Sequence, residues 1–165
     1  MSSRCLKLTI ILLATLCLGL AGCAQKIVKP RPPYPGPPGP YVGGPVGEQE
    51  IQAVQAGLKP VYFDYDRYTL SPQAQADLQY NAEVLRRAPY IAIVAEGHCD
   101  ERGTAEYNLA LGDRRARSSV DYLATLGLDP RRFSTVSYGS ELPVDPGHNE
   151  AAWAQNRRVY LRVSR

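Results

Sequence analysis

Between Pro30 and Gly47, thirteen of eighteen residues are proline or glycine. Proline withholds a backbone donor and glycine carries no side chain to bury, so this run cannot build a core and favours polyproline II. "GPPGP" within it has no sustained Gly-X-Y period, which excludes a collagen helix. The run divides the 165-residue chain into a short N-terminal segment, a spacer and a C-terminal segment the size of one domain. Residues 24–57 read as a linker. Fully extended, a stretch of that length reaches on the order of 100 Å.

The first 22 residues read as an export signal. Arg4 and Lys7 form a basic n-region, Leu8 to Leu20 an apolar h-region, and Ala21 and Gly22 supply small residues before Cys23. The apolar run is shorter than the roughly 18 residues needed to span a bilayer. Leu20-Ala21-Gly22-Cys23 looks like a bacterial lipobox, which implies cleavage before Cys23, acylation of that cysteine and stable lipid anchoring. Ala24 stands where aspartate would resemble an inner-membrane retention signal, so an outer-membrane location is expected.

Processing simplifies the rest. Cys5 and Cys17 leave with the signal and Cys23 is lipidated, so Cys99 alone remains and forms no intrachain disulfide. Removing Arg4 and Lys7 from the 19 basic residues leaves 17 against 16 acidic ones, far from the charge excess of a nucleic-acid binder.

Residues 58–165 read as the globular domain. "VYFDY" (61–65), "YIAIVAE" (90–96), "FSTVSYG" (133–139) and "RRVYLRV" (157–163) have strand character. Ser71-Pro72 opens a helix carrying Ala74, Leu78, Ala82 and Leu85 on one face, ended by Pro89. A second helix is expected from about Thr104 to Thr125, with Leu109, Ala116, Val120 and Leu123 as its apolar stripe. Residues 139–156 read as a loop. The order β-α-β-α-β-β predicts a two-layer α/β (α+β) sandwich.

The stretch "GHCDERGT" (97–104) gathers residue types found in metal sites and catalytic dyads. A structural zinc site needs about four ligands. The mature domain has one cysteine and two histidines, His98 and His148, with no CxxC or HxxxH, so no metal or other cofactor is expected. His98 and Cys99 adjoin at a strand end and should point to opposite faces, and no GxSxG motif is present, so no enzyme is expected either. Cys99 reads as a small buried residue.

By position, 97–104 is a strand-to-helix loop, a place where α/β sheets collect ligand sites. If the first two strands are parallel, Asp66 and Asp100 follow them at the same sheet edge. Asn108, Leu111 and Arg115 form a helix stripe expected to flank the loop rather than enter the core. Asp100, Arg115 and helix N–H groups would suit a zwitterionic ligand, ammonium to Asp and carboxylate to Arg. An Asp–Arg pair locking loop to helix fits the same spacing equally well.

"EGHCDERGTAEYNLALGDRRA" (96–116), with its G-H-x-D and N-x-x-L-x-x-x-R-A elements, resembles the OmpA-like peptidoglycan-binding domain family. "VYFDYD" before it and "VSYGSELPVDPGHNEAAWAQNRRV" (136–159) after it resemble the lipid-anchored members of that family. The resemblance covers residues 61–163 and implies non-covalent binding of the diaminopimelate in peptidoglycan stem peptides. Asp100 and Arg115 match the family residues that hold its amino and carboxylate groups. Asp66, Arg102, Asn108 and Leu111 fall on other motif positions near the ligand. The resemblance also implies TolB and other Tol-system proteins as partners, and a role in outer-membrane integrity and constriction at division. Cys99 stands where many members have Thr or Ala, and Ser119 where valine is common.

Overall fold

The computed structural model describes residues 47–164. The expected signal segment, the acylated Cys23 and the proline/glycine run up to residue 46 lie outside the described residues. The elements are α1 (Glu48–Gly57), β1 (Val61–Tyr62), α2 (Pro72–Arg86), β2 (Ile93–His98), α3 (Ala105–Thr125), a 3-10 turn (Pro130–Arg132), β3 (Phe133–Gly139), α4 (Glu150–Asn156) and β4 (Arg158–Val163). They build a mixed α/β fold around one four-stranded sheet of order β1-β4-β2-β3.

β2 and β3 are parallel, while β4 runs antiparallel to both β2 and β1. β1 and β2 therefore point the same way with β4 inserted between them, and their C-terminal ends share one sheet edge. Ile93 and Ala95 of β2, with Val159, Leu161 and Val163 of β4, are buried against Leu78, Ala82 and Leu85 of α2 and Ala116, Val120 and Leu123 of α3. The alternation along β2 and β4 gives the sheet its helix-covered face.

Local chemistry explains the helix starts. Ser71 Oγ accepts from the Ala74 N–H at 3.1 Å with Pro72 in the first turn. Thr104 Oγ1 accepts from the Tyr107 N–H at 3.2 Å, and Asn149 Oδ1 from the Ala152 N–H at 3.1 Å.

Four boundaries differ from the sequence reading. Residues 48–57, assigned to the linker, form α1 and belong to the domain: Val54 is buried, and Gln55 bonds the β4 backbone at Leu161 O (3.1 Å) and Val163 N (2.8 Å). These are ladder groups of β4 that the two-residue β1 is too short to reach. β1 stops at Tyr62 because the carbonyls beyond it serve side chains, Phe63 O accepting from Arg157 Nε and Asp64 O from Arg115 Nη2. β2 starts at Ile93 and runs to His98, and residues 139–156 include α4.

Leu109, expected in the apolar stripe, is 43% exposed. At that turn α3 lies backbone against Gly139, where an added Cβ would come within 3.0 Å of the Leu109 N. One turn later the helix meets the sheet backbone to backbone: a Cβ on Gly97 would lie 2.0 Å from the Gly112 carbonyl oxygen.

Arg132 shows how a charged side chain can belong to the core. It is 4% exposed and its guanidinium donates to Leu85 O, Ala88 O and Ile91 O at 2.6–3.1 Å, closing the end of α2 and the turn into β2. Arg132→Met leaves those buried carbonyls without these donors. It is expected to cost about 2 kcal/mol in urea unfolding, whereas Arg131→Met, at an exposed position, should cost well under about 0.5 kcal/mol.

Candidate functional site

The shared edge of β1 and β2 opens into a cavity of about 250 Å³. All six residues expected at the site line it: Asp66, Asp100, Arg102, Asn108, Leu111 and Arg115. Tyr65, Cys99, Gly103 and Tyr107 complete the wall.

The β2–α3 loop is shaped by its own side chains. Asp100 Oδ1 accepts from the Arg102 N–H at 3.1 Å, an Asx-type turn. Gly103 then takes φ 108°, a region that strains residues with a Cβ. Asn108, 1% exposed, reaches back from α3 and donates to Asp100 O and Arg102 O, both at 3.3 Å. Across the cavity Asp66 sits at φ 53°, which aspartate tolerates better than most residues, and its carboxylate accepts from the Tyr107 hydroxyl.

Asn108, Leu111 and Arg115 do not merely flank the loop; they are 1%, 6% and 1% exposed. Among the described residues Arg115 is the largest fully buried side chain, and it lies 5.3 Å from the Phe63 ring. It donates to Arg67 O (2.8 Å), His98 O (2.9 Å), Asp64 O (3.0 Å) and Cys99 Sγ (3.4 Å). A guanidinium has five N–H donors, so one N–H, on Nη2, has no hydrogen-bond partner among the described residues. Ser119 supports this residue from below, its hydroxyl donating to Arg115 O at 3.0 Å.

Asp100 is 4% exposed, and its carboxylate is held by other arginines. Arg102 contributes Nε to Oδ1 (3.2 Å) and Nη2 to Oδ2 (2.7 Å), and Arg157 adds Nη1 to Oδ2 at 3.3 Å. Burial works against the charge, but the Arg102 and Arg157 hydrogen bonds outweigh it and hold the carboxyl below its ordinary range. The loop is thus locked by Asp–Arg pairs, with Arg102 and Arg157 rather than with Arg115.

The sequence reading missed Arg157. It is buried and ties Phe63 O, Asp100 and Glu150 together at 3.0, 3.3 and 2.7 Å. Nothing local marks it, because its partners lie up to 94 positions away. Also missed were the supports of the loop from α4 and the turn before it: Trp153 Nε1 donates to Glu101 at 2.8 Å, and His148 pairs with the same carboxylate at 2.7 Å.

His98 and Cys99 diverge. The His98 ring stacks on Tyr138 at 5.5 Å, while the Cys99 thiol lies 3.3 Å from Asn108 O on the cavity side. Cys99 is 3% exposed, and burial pushes its thiol above the ordinary range, the reverse of what an attacking thiolate needs. Among the described residues no helix is long and apolar enough to cross a membrane.

The site therefore places a buried carboxylate and a buried guanidinium in the lining of one small cavity, on a sheet with two helices against one face. The model of the OmpA family matches residues 62–157, which take in every side chain of the site. Among the similar proteins is the peptidoglycan-associated lipoprotein of Agrobacterium fabrum, 45% identical over 147 residues, covering 88% of this chain and 81% of that one. The protein of the same name from Pseudomonas putida is 40% identical over 161 residues, covering 90% and 94%. The crystal structure of the peptidoglycan-associated lipoprotein from Burkholderia pseudomallei superposes with a TM-score of 0.61 at 47% identity, covering 64% of this chain and 90% of that one. The chain belongs to the OmpA family and, within it, to the peptidoglycan-associated lipoproteins.

Proposed function

We propose that this chain is an outer-membrane lipoprotein that holds peptidoglycan without covalent chemistry, gripping the diaminopimelate of a stem peptide in the cavity described above. The observation that carries this is that Asp100 and Arg115, both buried, line one opening. A diaminopimelate side chain ends in an ammonium and a carboxylate on one carbon. Asp100 supplies the anion for the first and the remaining Arg115 N–H a donor for the second. The volume of about 250 Å³ suits one such residue and not a length of glycan. The names of the relatives support the same ligand. Asp66, Arg102, Asn108 and Leu111 shape and line the cavity around that pair.

The anchor in this proposal is acylated Cys23 in the outer membrane, with the domain in the periplasm and residues 24–46 as tether. Its partners are peptidoglycan, TolB and other Tol-system proteins, and its work is outer-membrane integrity and constriction during division. The buried Cys99 thiol favours a holder over a catalyst.

The full chain in detergent, mixed with purified sacculi and centrifuged, should pellet with them. Asp100→Asn, which keeps the shape and removes the charge, should reduce the apparent affinity roughly tenfold. Arg115→Lys should weaken binding while preserving more of the fold than Arg115→Ala, since a lysine can still serve some of the carbonyls. Wild-type protein left in the supernatant would refute peptidoglycan binding. Undiminished pelleting of a folded Asp100→Asn variant would refute only the assignment of the residue. Uptake of labelled palmitate by a Cys23→Ala precursor would count against the anchor.

A further inference from the structure

Asp100 meets a guest with no lone pair to spare. A carboxylate has about four acceptor positions, and here Oδ1 takes two donors from Arg102 while Oδ2 takes one from Arg102 and one from Arg157. An incoming ammonium must displace one of them. The two side chains differ in how readily they can give way: Arg157 is 8% exposed and anchored to Phe63 O, whereas Arg102 is 30% exposed.

Arg102 also has somewhere to go. Its Nη2 lies 3.6 Å from Glu150 Oε2, a carboxylate 64% exposed on the first turn of α4. Its guanidinium carbon sits 4.0 Å from the Tyr65 ring centre and 4.2 Å from that of Trp153. Cation–π attraction follows the charge and not the carboxylate it faces. The two rings can therefore keep hold of the guanidinium while it changes partner.

We propose that Arg102 is an internal cation that occupies the ammonium position of the empty site, and that Glu150 is the positioning residue that receives it when a guest arrives. This rests on the peptidoglycan reading above and adds a mechanism to it. Asp100, which Arg157 alone would compensate only at 3.3 Å, keeps its nearer counter-charge until a cationic guest replaces Arg102. A guest without an ammonium leaves Arg102 in place and gains nothing from Asp100, so the exchange also sets specificity.

The test is sacculus pelleting over a range of concentrations of the full chain in detergent, with variants checked for wild-type melting. Arg102→Met removes the competitor and should tighten binding roughly threefold. Glu150→Gln removes the receiver and should weaken it by a similar factor. In the double variant the Glu150 effect should vanish, because nothing is left to receive. Arg102→Lys, which keeps the charge without the fork, should fall between wild type and Arg102→Met. Arg102→Met that weakens binding as Asp100→Asn does would make Arg102 a direct guest contact and overturn the proposal. So would unchanged binding of Arg102→Met, or a Glu150 effect that persists in the double variant and thus acts through Arg157. Wild type that fails to pellet removes the peptidoglycan reading itself, whereas wild type that pellets with any of these three outcomes removes the exchange alone.

Discussion

Gly97→Ala is expected to leave little folded protein. The added Cβ would sit 2.0 Å from Gly112 O and 2.5 Å from Gly112 C, both backbone atoms of α3. No side-chain rotation relieves such a contact, so α3 must lift from β2. That separates the packing of Ala116, Val120 and Leu123 from the sheet. Overpacking a core against side chains costs about 1–3 kcal/mol; against backbone the upper end, about 3 kcal/mol or more, is expected. Gly112→Ala attacks the same joint from the other side, its Cβ 2.9 Å from Gly97 O and 2.3 Å from Ser137 Oγ. Gly127→Ala is the control: φ is 89° but nothing lies within 4 Å, so it should cost only the left-handed backbone penalty of about 1 kcal/mol. Thermal melts of the three variants decide the matter. A Gly97→Ala protein melting within a few degrees of wild type would show that the joint is not rigid.

The second large effect is acid sensitivity centred on His98. The ring is buried on the sheet face opposite Cys99, stacked on Tyr138, and neither nitrogen has a hydrogen-bond partner of good geometry among the described residues. Burial first and the Arg158 charge second lower its pKa from 6.5 to about 4, with the Leu142 backbone offsetting part of this. A histidine lowered in the fold stays neutral where the unfolded chain already takes up a proton. Stability is therefore full above about pH 6.5, falls as pH drops towards 4, and levels below that. The gap is worth at most about 3 kcal/mol, and partial solvent screening reduces it to about 2 kcal/mol. Asp100, also lowered, adds a loss in the same direction at more acid pH. His98→Phe keeps the stacking and cannot be protonated. Urea unfolding of this variant should be nearly flat from pH 6.5 to 5, where wild type declines. A variant that declines in parallel with wild type would place the sensitivity elsewhere.

Much of the architecture is legible in short-range chemistry. Ser71-Pro72 and Thr104 mark helix starts because a cap acts within three residues, and the alternation of β4 follows from burial on one face. The six site residues could be gathered because strand ends and helix turns fix their positions, and the motif ties them together. The rest depends on distant partners. α1 is hidden beside the proline/glycine run because its sequence buries only Val54 and its hold on β4 is made by a glutamine. Tyr90 has a strand former's composition yet lies outside β2, its hydroxyl bonded to Glu50. Leu109 fits the helical period yet is exposed, in the first turns of α3 where the helix runs beside the sheet's end at Gly139. The spacing places Arg115 at the site but carries no sign of its burial. The carbonyls that accept from it lie 17 to 51 positions away in sequence.

The attachment of α1 has a mechanical consequence. The chain enters the domain at Gly47, immediately before α1, so tension applied there reaches α1 before any strand. α1 buries a single side chain, while the central strands are zipped to neighbours on both sides. Under load the helix should peel away first. Its ten residues would then lengthen the chain by about 20 Å, and the cavity at the far ends of β1 and β2 would keep its shape. α1 would lengthen before any load reached the sheet.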